Sequence, residues 1–139
     1  MDKALNVFQL NDKVALVTGA AGGMGTAISK QLATLGATVI LTDINEEGVK
    51  KSAEQLAEKG LNVDSLKVNI LDSESIQEVV SYVKEKYGKL DILVNNAGAA
   101  NDAKALETSD DEWRKMIAIN LDGAFYMSRE FGQLMVEAK

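Results

Sequence analysis

Residues 13–43 read KVALVTGAAGGMGTAISKQLATLGATVILTD, and this stretch constrains the fold more than any other. Val14, Ala15, Leu16 and Val17 form an apolar run too short for a helix and Val-rich enough for a buried strand. A glycine turn follows, from Gly19 through Gly22 and Gly23 to Gly25. Ile28, Leu32 and Leu35 then recur at helical spacing, with Ala27 and Ala33 beside them. Gly36 closes that helix, and residues 38–41 form a second apolar strand ending at Asp43. The unit is strand, glycine turn, helix, strand, with a carboxylate at the tip of its second strand.

That layout carries chemistry. Glycines let the backbone turn tightly and approach a ligand that a Cβ would push away. The helix opening around Met24 and Gly25 aims unpaired N–H groups and the positive end of its dipole out of the turn, which suits a pyrophosphate. Asp43 lies about twenty residues past the turn, where a carboxylate accepts from the ribose hydroxyls of an adenosine. A 2′-phosphate would be repelled there, and no Arg or Lys in the turn or just after Asp43 offsets the charge. NAD is therefore expected, with NADP the weaker ligand. The G-x-G-x-x-G fingerprint is not met, since Ile28 stands where its third glycine would be; the pattern present is T-G-x-x-x-G-x-G, from Thr18 to Gly25.

With 139 residues the chain has the size of a single domain, here residues 1–139 with a lead-in over 1–12. The net charge of −6 argues against nucleic acid and against an anionic membrane surface. There is no Cys and no His, which removes thiol chemistry, disulfides and a His base, and leaves no metal site expected. Residues 1–11 lack the apolar core of a signal peptide and no run approaches a membrane span, so a cytoplasmic location is expected. Proline is also absent, where average usage of about 5% would give about seven.

In the lead-in, Val7, Phe8 and Leu10 are expected to tuck under the sheet. After Asp43, Asn45 caps a second helix with Glu46 and Glu47 in its first turn, a buried face of Val49, Ala53, Leu56 and Ala57, and Gly60 at its end. Residues 61–71 alternate into a third strand through Val63, Leu66, Val68 and Ile70. Asp72 or Ser73 caps a third helix buried through Ile76, Val79, Val80 and Val83 and stopped by Gly88. Residues 90–94 form a fourth strand ending in Asn95-Asn96-Ala97-Gly98, followed by a polar loop over 99–104. Ser109 and Glu112 have the form of a capping box, and the last helix, the fifth, runs from there, bent near residues 120–123. Strands alternating with helices predict a parallel sheet, and each polar feature follows a strand end, where such sheets bind ligands.

With Asn95-Asn96-Ala97-Gly98 the chain resembles the short-chain dehydrogenase/reductase family. Four motifs carry the resemblance in order: residues 18–25, Asp43, N-N-A-G after strand four, and residues 119–125 reading INLDGAF. The resemblance implies an α/β, Rossmann-type doubly wound parallel sheet with helices on both faces, truncated after the fifth helix. It implies strand order 3-2-1-4, with strand four an open edge. It also implies cofactor contacts at Gly19, Gly23, Met24, Gly25, Asp43, Ile44, Asn96, Ala97 and Gly98. Asn95 reads equally as a buried Asn that satisfies backbone and ties the sheet together. At the end of strand three the family's Asp is replaced by Asn69, followed by Ile70; an Asn oxygen still accepts from the adenine amino group.

The family's chemistry uses Asn, Ser, Tyr and Lys, and here only Asn120 has a match. Tyr82 and Lys86 have the Tyr-x-x-x-Lys spacing but precede N-N-A-G, and read as an ordinary helix surface. Tyr126 and Ser128 lie inside the fifth helix and are assigned no chemistry. The resemblance thus implies an NAD(P)-dependent oxidoreductase moving hydride between nicotinamide and an alcohol or ketone, with a sugar, polyol or 3-oxoacyl substrate. This chain supplies the cofactor-binding half, without turnover alone, and a homo-oligomer forms through the fifth helix. Two other readings stand beside it: a catalytically inactive dinucleotide-binding fragment, and an interaction module.

Overall fold

The computed structural model describes residues 5–138. Residues 1–4 of the expected lead-in lie outside that range. Helices and strands alternate: β1 (Val14–Val17), α1 (Gly23–Thr34), β2 (Thr38–Asp43), α2 (Glu46–Ala57), β3 (Val63–Lys67), α3 (Ser73–Tyr87) and β4 (Ile92–Val94). Then follow α4 (Asp110–Ile117), a π-turn (Ala118–Asp122) and α5 (Gly123–Glu137). The sheet is parallel with order β3-β2-β1-β4, as the resemblance implies. In its registers Val14 lies opposite Thr38, Leu16 opposite Leu93, and Asp43 opposite Lys67. The strand order reverses between β1 and β4, so the carboxyl ends of those strands open a crevice.

β1 and the middle of β2 are buried on both faces, as continuous apolar runs in parallel sheets must be. Alternation sends their side chains into two separate layers. On one face Ala15, Val17, Val39 and Leu41 meet α1 and α2, and half of that layer is alanine: Ala15, Ala20, Ala33, Ala37 and Ala53. On the other face Val14, Leu16 and Ile40 meet Ile76, Val79 and Val83 of α3 and Met127, Phe131 and Leu134 of α5, with no alanine among them.

The punctuation of the sequence does what its chemistry demands. The Asn45 side chain accepts from the Gly48 amide at 3.0 Å, and Asp72 accepts from that of Glu74 at 3.0 Å, so Asp72 and not Ser73 is the cap of α3. Ser109 and Glu112 form the reciprocal capping box that opens α4. Gly36 and Gly88 take positive φ just beyond α1 and α3.

Several expectations need correction. Val7 and Phe8 are 80% and 66% exposed; of the three lead-in residues only Leu10 packs against the alanine-rich layer. In α1 the deepest residues are Gly25, Ser29 and Ala33; Ile28 and Leu32 are half-buried, Ala27 is exposed, and Leu35 falls at the C-cap. Helix and sheet approach closely there, so the small residues go to the bottom. In α2 the same crowding buries Ser52 and leaves Ala57 exposed. β3 ends at Lys67, so Val68 and Ile70 lie in the segment beyond it. The fourth strand begins at Ile92 instead of residue 90. The bend expected near residues 120–123 is the π-turn, and it divides the last helix into α4 and α5.

Among the described residues, no helix is long and apolar enough to cross a membrane.

Candidate functional site

A cleft of 420 Å³ lies over the carboxyl ends of the strands. That volume is within the range of small-molecule sites, about 300–1,000 Å³. Its wall is drawn from the glycine turn (Gly19), the end of β2 (Asp43, Ile44), the segment after β3 (Val68, Asn69, Ile70, Leu71), the segment after β4 (Ala97, Gly98, Ala99) and α4 with its π-turn (Lys115, Ile119).

The glycine turn is folded against backbone. Gly19 has φ +65°, and a Cβ there would sit 2.8 Å from the Ala97 Cα. Gly25 is packed under the turn, where a Cβ would sit 2.8 Å from the Ala20 Cα and collide with the Gly19 carbonyl. The N-cap Gly22 offers α1 no side-chain hydrogen bond. The first amides of α1, around Gly23, Met24 and Gly25, therefore lack the intrahelical partners that helix starts always lack. Met24 is exposed at the tip of the turn.

Asp43 is fixed from both sides. Its Oδ2 accepts from the Ala21 amide at 3.0 Å, and its Oδ1 accepts from the Asn45 amide at 2.9 Å. The carboxylate thus links the glycine turn to the start of α2 while lining the cleft.

Thr18 joins β1 to β4. Its buried hydroxyl accepts from the amides of Asn96 at 3.1 Å and Ala97 at 2.9 Å. The Asn96 side chain donates to the carbonyls of Thr18 at 3.0 Å and Gly19 at 3.2 Å. Asn95 reaches the other way, donating to Ser128 Oγ of α5 at 2.9 Å. Asn95 is structural, as expected, but it is exposed and bonds a side chain instead of being buried against backbone. The side chain of Asn96 ties the strand to the glycine turn and is not itself among the cleft-lining groups, whereas Asn95 anchors the strand end to α5. Ser128 carries that structural contact and Tyr126 packs beside the core layer of α3 and α5.

Asn120 sits in the π-turn. Its side chain behaves as a second backbone strip: Oδ1 accepts from the Ala99 amide at 3.2 Å, while Nδ2 donates to the carbonyls of Ala99 at 2.8 Å and Met116 at 2.9 Å. Gly98 makes room for it, since a Cβ there would lie 2.7 Å from Asn120 Oδ1. Gly123 does the same for Ile70, whose side chain fills the space a Cβ would take.

The structure therefore brings Gly19, Asp43, Ile44, Asn69, Ile70, Ala97 and Gly98 to one cleft, with Gly23 and Met24 at the start of α1 and Asn120 behind Ala99. Val68, Leu71, Ala99, Lys115 and Ile119 were not foreseen as contacts. Lys115 adds a cation to the wall, where the sequence has none in the turn or just after Asp43. Its spacing of four from Ile119 is the signal that would have found it: once Ile119 faces the cleft, so does Lys115.

Tyr82 and Lys86 lie away from the cleft, as expected, but they are not an ordinary helix surface. Tyr82 donates to Asp64 Oδ2 of β3 at 2.7 Å, Tyr87 donates to the same oxygen at 2.9 Å, and Lys86 donates to it at 2.8 Å and to the Tyr82 hydroxyl at 2.9 Å. Burial alone would raise the Asp64 carboxyl, but the hydrogen bonds from Lys86, Tyr82, Tyr87 and the Ser65 amide outweigh it and hold it below the ordinary value of 3.8. Lys86 is raised by its bonds to Asp64 and Tyr82, and the Tyr87 hydroxyl is pushed up to about 12, by burial first and then by Asp64. Among the described residues, no group of His, Cys, Asp or Glu is arranged to hold a metal ion.

Comparison with known proteins agrees with this geometry. The family model described as short chain dehydrogenase matches residues 13–139. The chain is 43% identical to the D-threitol dehydrogenase of Mycolicibacterium smegmatis over 94% of its own length and 50% of the relative's. It is 40% identical to a 3-oxoacyl-[acyl-carrier-protein] reductase of Thermotoga maritima, over 94% of this chain and 53% of that one. The crystal structure of gox2181 superposes with a TM-score of 0.92 at 36% identity, covering 96% of this chain and 52% of the other. The chain spans about half the length of the curated relatives it matches. With its Rossmann-type sheet, its glycine turn and its N-N-A-G segment all meeting at one cleft, the chain belongs to the short-chain dehydrogenase family.

Proposed function

We propose that this chain is the dinucleotide-binding half of an NAD-dependent oxidoreductase that moves hydride between nicotinamide and an alcohol or ketone. The observation that carries the reading is the placement of Asp43: a carboxylate held by two backbone amides, lining a cleft beside the glycine turn. The residues present fit a dinucleotide. The start of α1 would take the pyrophosphate on its free amides. Asp43 would accept from the adenosine ribose, Ile44, Asn69 and Ile70 would border the base, and Ala97 and Gly98 would lie along the nicotinamide ribose. When bound, the nicotinamide supplies the hydride or accepts it. Asn120 holds the Ala99 backbone in place beside that end of the cleft. The relatives' names favour a polyol, sugar or 3-oxoacyl substrate.

The chain is expected to bind cofactor without turnover by itself. Its Tyr-x-x-x-Lys pair is spent on Asp64, so neither Tyr82 nor Lys86 stands at the cleft to exchange a proton with substrate.

Calorimetric titration with NAD and NADP tests the reading. NAD is expected to bind more tightly. Asp43→Ala should weaken NAD by about 1.5–3 kcal/mol, the worth of hydrogen bonds to a charged group. Asp43→Asn, which removes the charge and leaves one acceptor for the two backbone amides, should narrow the gap between the two cofactors. A folded chain that binds neither, or that prefers NADP, contradicts it.

A further inference from the structure

The glycine turn ends on an apolar side chain with nothing to pack against. Met24 is the second residue of α1 and is 77% exposed. Three other methionines lie among the described residues: Met127 is fully buried, Met135 packs on the core layer under α3 and α5, and Met116 is half-buried in α4. The space beside Met24 is open, since a Cβ on Gly23 would meet nothing within 4 Å. The amides of Gly23 and Met24 make no hydrogen bond to a described residue. The first turn of α1 holds no acidic residue, although the helix dipole favours an acid there. An acid would repel a phosphate at those amides, and a thioether does not.

Position and chemistry combine here. Cα–Cβ bonds in a helix tilt toward its N-terminus, so the Met24 side chain leans toward the end from which the free amides point. An exposed thioether is also the group in this chain that a peroxide attacks first, because the sequence has no Cys to compete for the oxidant. In that step a sulfur lone pair attacks one peroxide oxygen. The S–O bond forms as the O–O bond breaks, and the departing hydroxide takes the proton of the new S–OH group and leaves as water. Sulfur is oxidised and the peroxide is reduced. The product trades an apolar sulfur for a dipole whose oxygen carries partial negative charge. That oxygen competes with a phosphate for the amides of Gly23 and Met24 and repels its charge. Conversely, a phosphate seated on those amides covers the sulfur.

We propose that Met24 is an oxidation site that switches dinucleotide binding: the thioether form binds, and the sulfoxide form is weakened until a thiol-dependent sulfoxide reductase restores it. The proposal rests on the dinucleotide reading of the cleft. The test treats the chain with dilute hydrogen peroxide, follows each methionine by peptide mass spectrometry, and titrates NAD calorimetrically before and after. Met24 should oxidise about fivefold or more faster than Met116, Met127 and Met135. Full conversion there should weaken NAD by about fivefold or more, and saturating NAD should slow the oxidation of Met24 by a similar factor. Treatment with sulfoxide reductase should restore the affinity. Met24→Leu, whatever its starting affinity, should bind NAD equally before and after peroxide. The proposal is overturned, while the dinucleotide reading stands, if the chain oxidised at Met24 binds NAD within about twofold of the untreated chain. The same holds if NAD leaves the oxidation rate of Met24 unchanged, or if Met24→Leu loses affinity to peroxide just as the unmodified chain does. If the untreated, folded chain does not bind NAD, the underlying reading fails and takes the proposal with it. The rate and protection measurements need no variant, so a Met24→Leu chain that misfolds leaves the proposal open to refutation.

Discussion

Glycine shows how far the meaning of one residue depends on what surrounds it. A Cβ at Gly25 would meet the backbone of Gly19 and Ala20, which cannot swing away, whereas a Cβ at Gly132 in α5 would meet nothing within 4 Å. The same substitution should therefore have opposite signs. Gly25→Ala is expected to destabilise the fold by about 1–3 kcal/mol through overpacking. Gly132→Ala is expected to stabilise it by about 0.5–1 kcal/mol, through helix propensity and a smaller loss of backbone entropy. Urea midpoints of the two variants, read against the unmodified chain, check both. Equal shifts in the same direction would show that the turn yields where the structure has it closed. Lys115 gives the matching lesson for charge: it lines the same cleft as Asp43 from a position more than seventy residues away in sequence.

Among the elements, β3 is an edge strand with Asp64 turned toward α3, where two tyrosines and a lysine converge on it. An acid whose folded pKa is depressed adds stability above its unfolded value. That contribution starts to fade below the ordinary 3.8 and is gone once pH falls through the lower folded value. Lys86 and Tyr87 work in the other sense: raised values mean that their contribution is present below the unfolded values of 10.5 and 10.0 and is lost only as pH climbs through the folded ones. Asp64→Asn is therefore expected to cost about 1–2 kcal/mol at pH 7, given the partial exposure of the pair, and clearly less near pH 3. Denaturant midpoints at the two pH values measure it, and an equal loss at both would rule out the carboxylate as the cause. The elements were legible because periods of 2 and 3.6 and the caps at Asn45, Asp72 and Ser109 are local. What escaped was non-local. The burial of Ser29 and Ser52 comes from close packing of their helices on the sheet. The pairing of Asp64 with Tyr82, of Asn95 with Ser128 and of Asn120 with Ala99 comes from strands and helices meeting across the sheet. Most cleft residues that follow strand ends were foreseen, though not Val68, Leu71 and Ala99, and the far wall from α4 and its π-turn was missed.

The molecule as a whole leaves a row of large apolar side chains on the outer side of its last two helices. Trp113, Leu121 and Phe125 are each about three-fifths exposed. Together they suit the homo-oligomer expected through the fifth helix. Sedimentation velocity should show a mass that rises with concentration, and Phe125→Lys should return the chain to a monomer without changing its helicity. A monomer at every concentration would remove that expectation. The two layers of the core have a different consequence. Half of the buried face under α1 and α2 is alanine, whereas the face under α3 and α5 is built of Leu, Ile, Val, Met and Phe. Alanine has no rotamers to exchange, and a helix seated on it stands close to the sheet with no slack to take up. Long side chains can trade volume among themselves at small cost, and methionine most readily of all. The sequence is thus free to drift on one side and frozen on the other. The frozen side is the one that carries the glycine turn, so in a lineage of such chains the ligand-facing end of α1 would keep its place while the opposite face was rewritten.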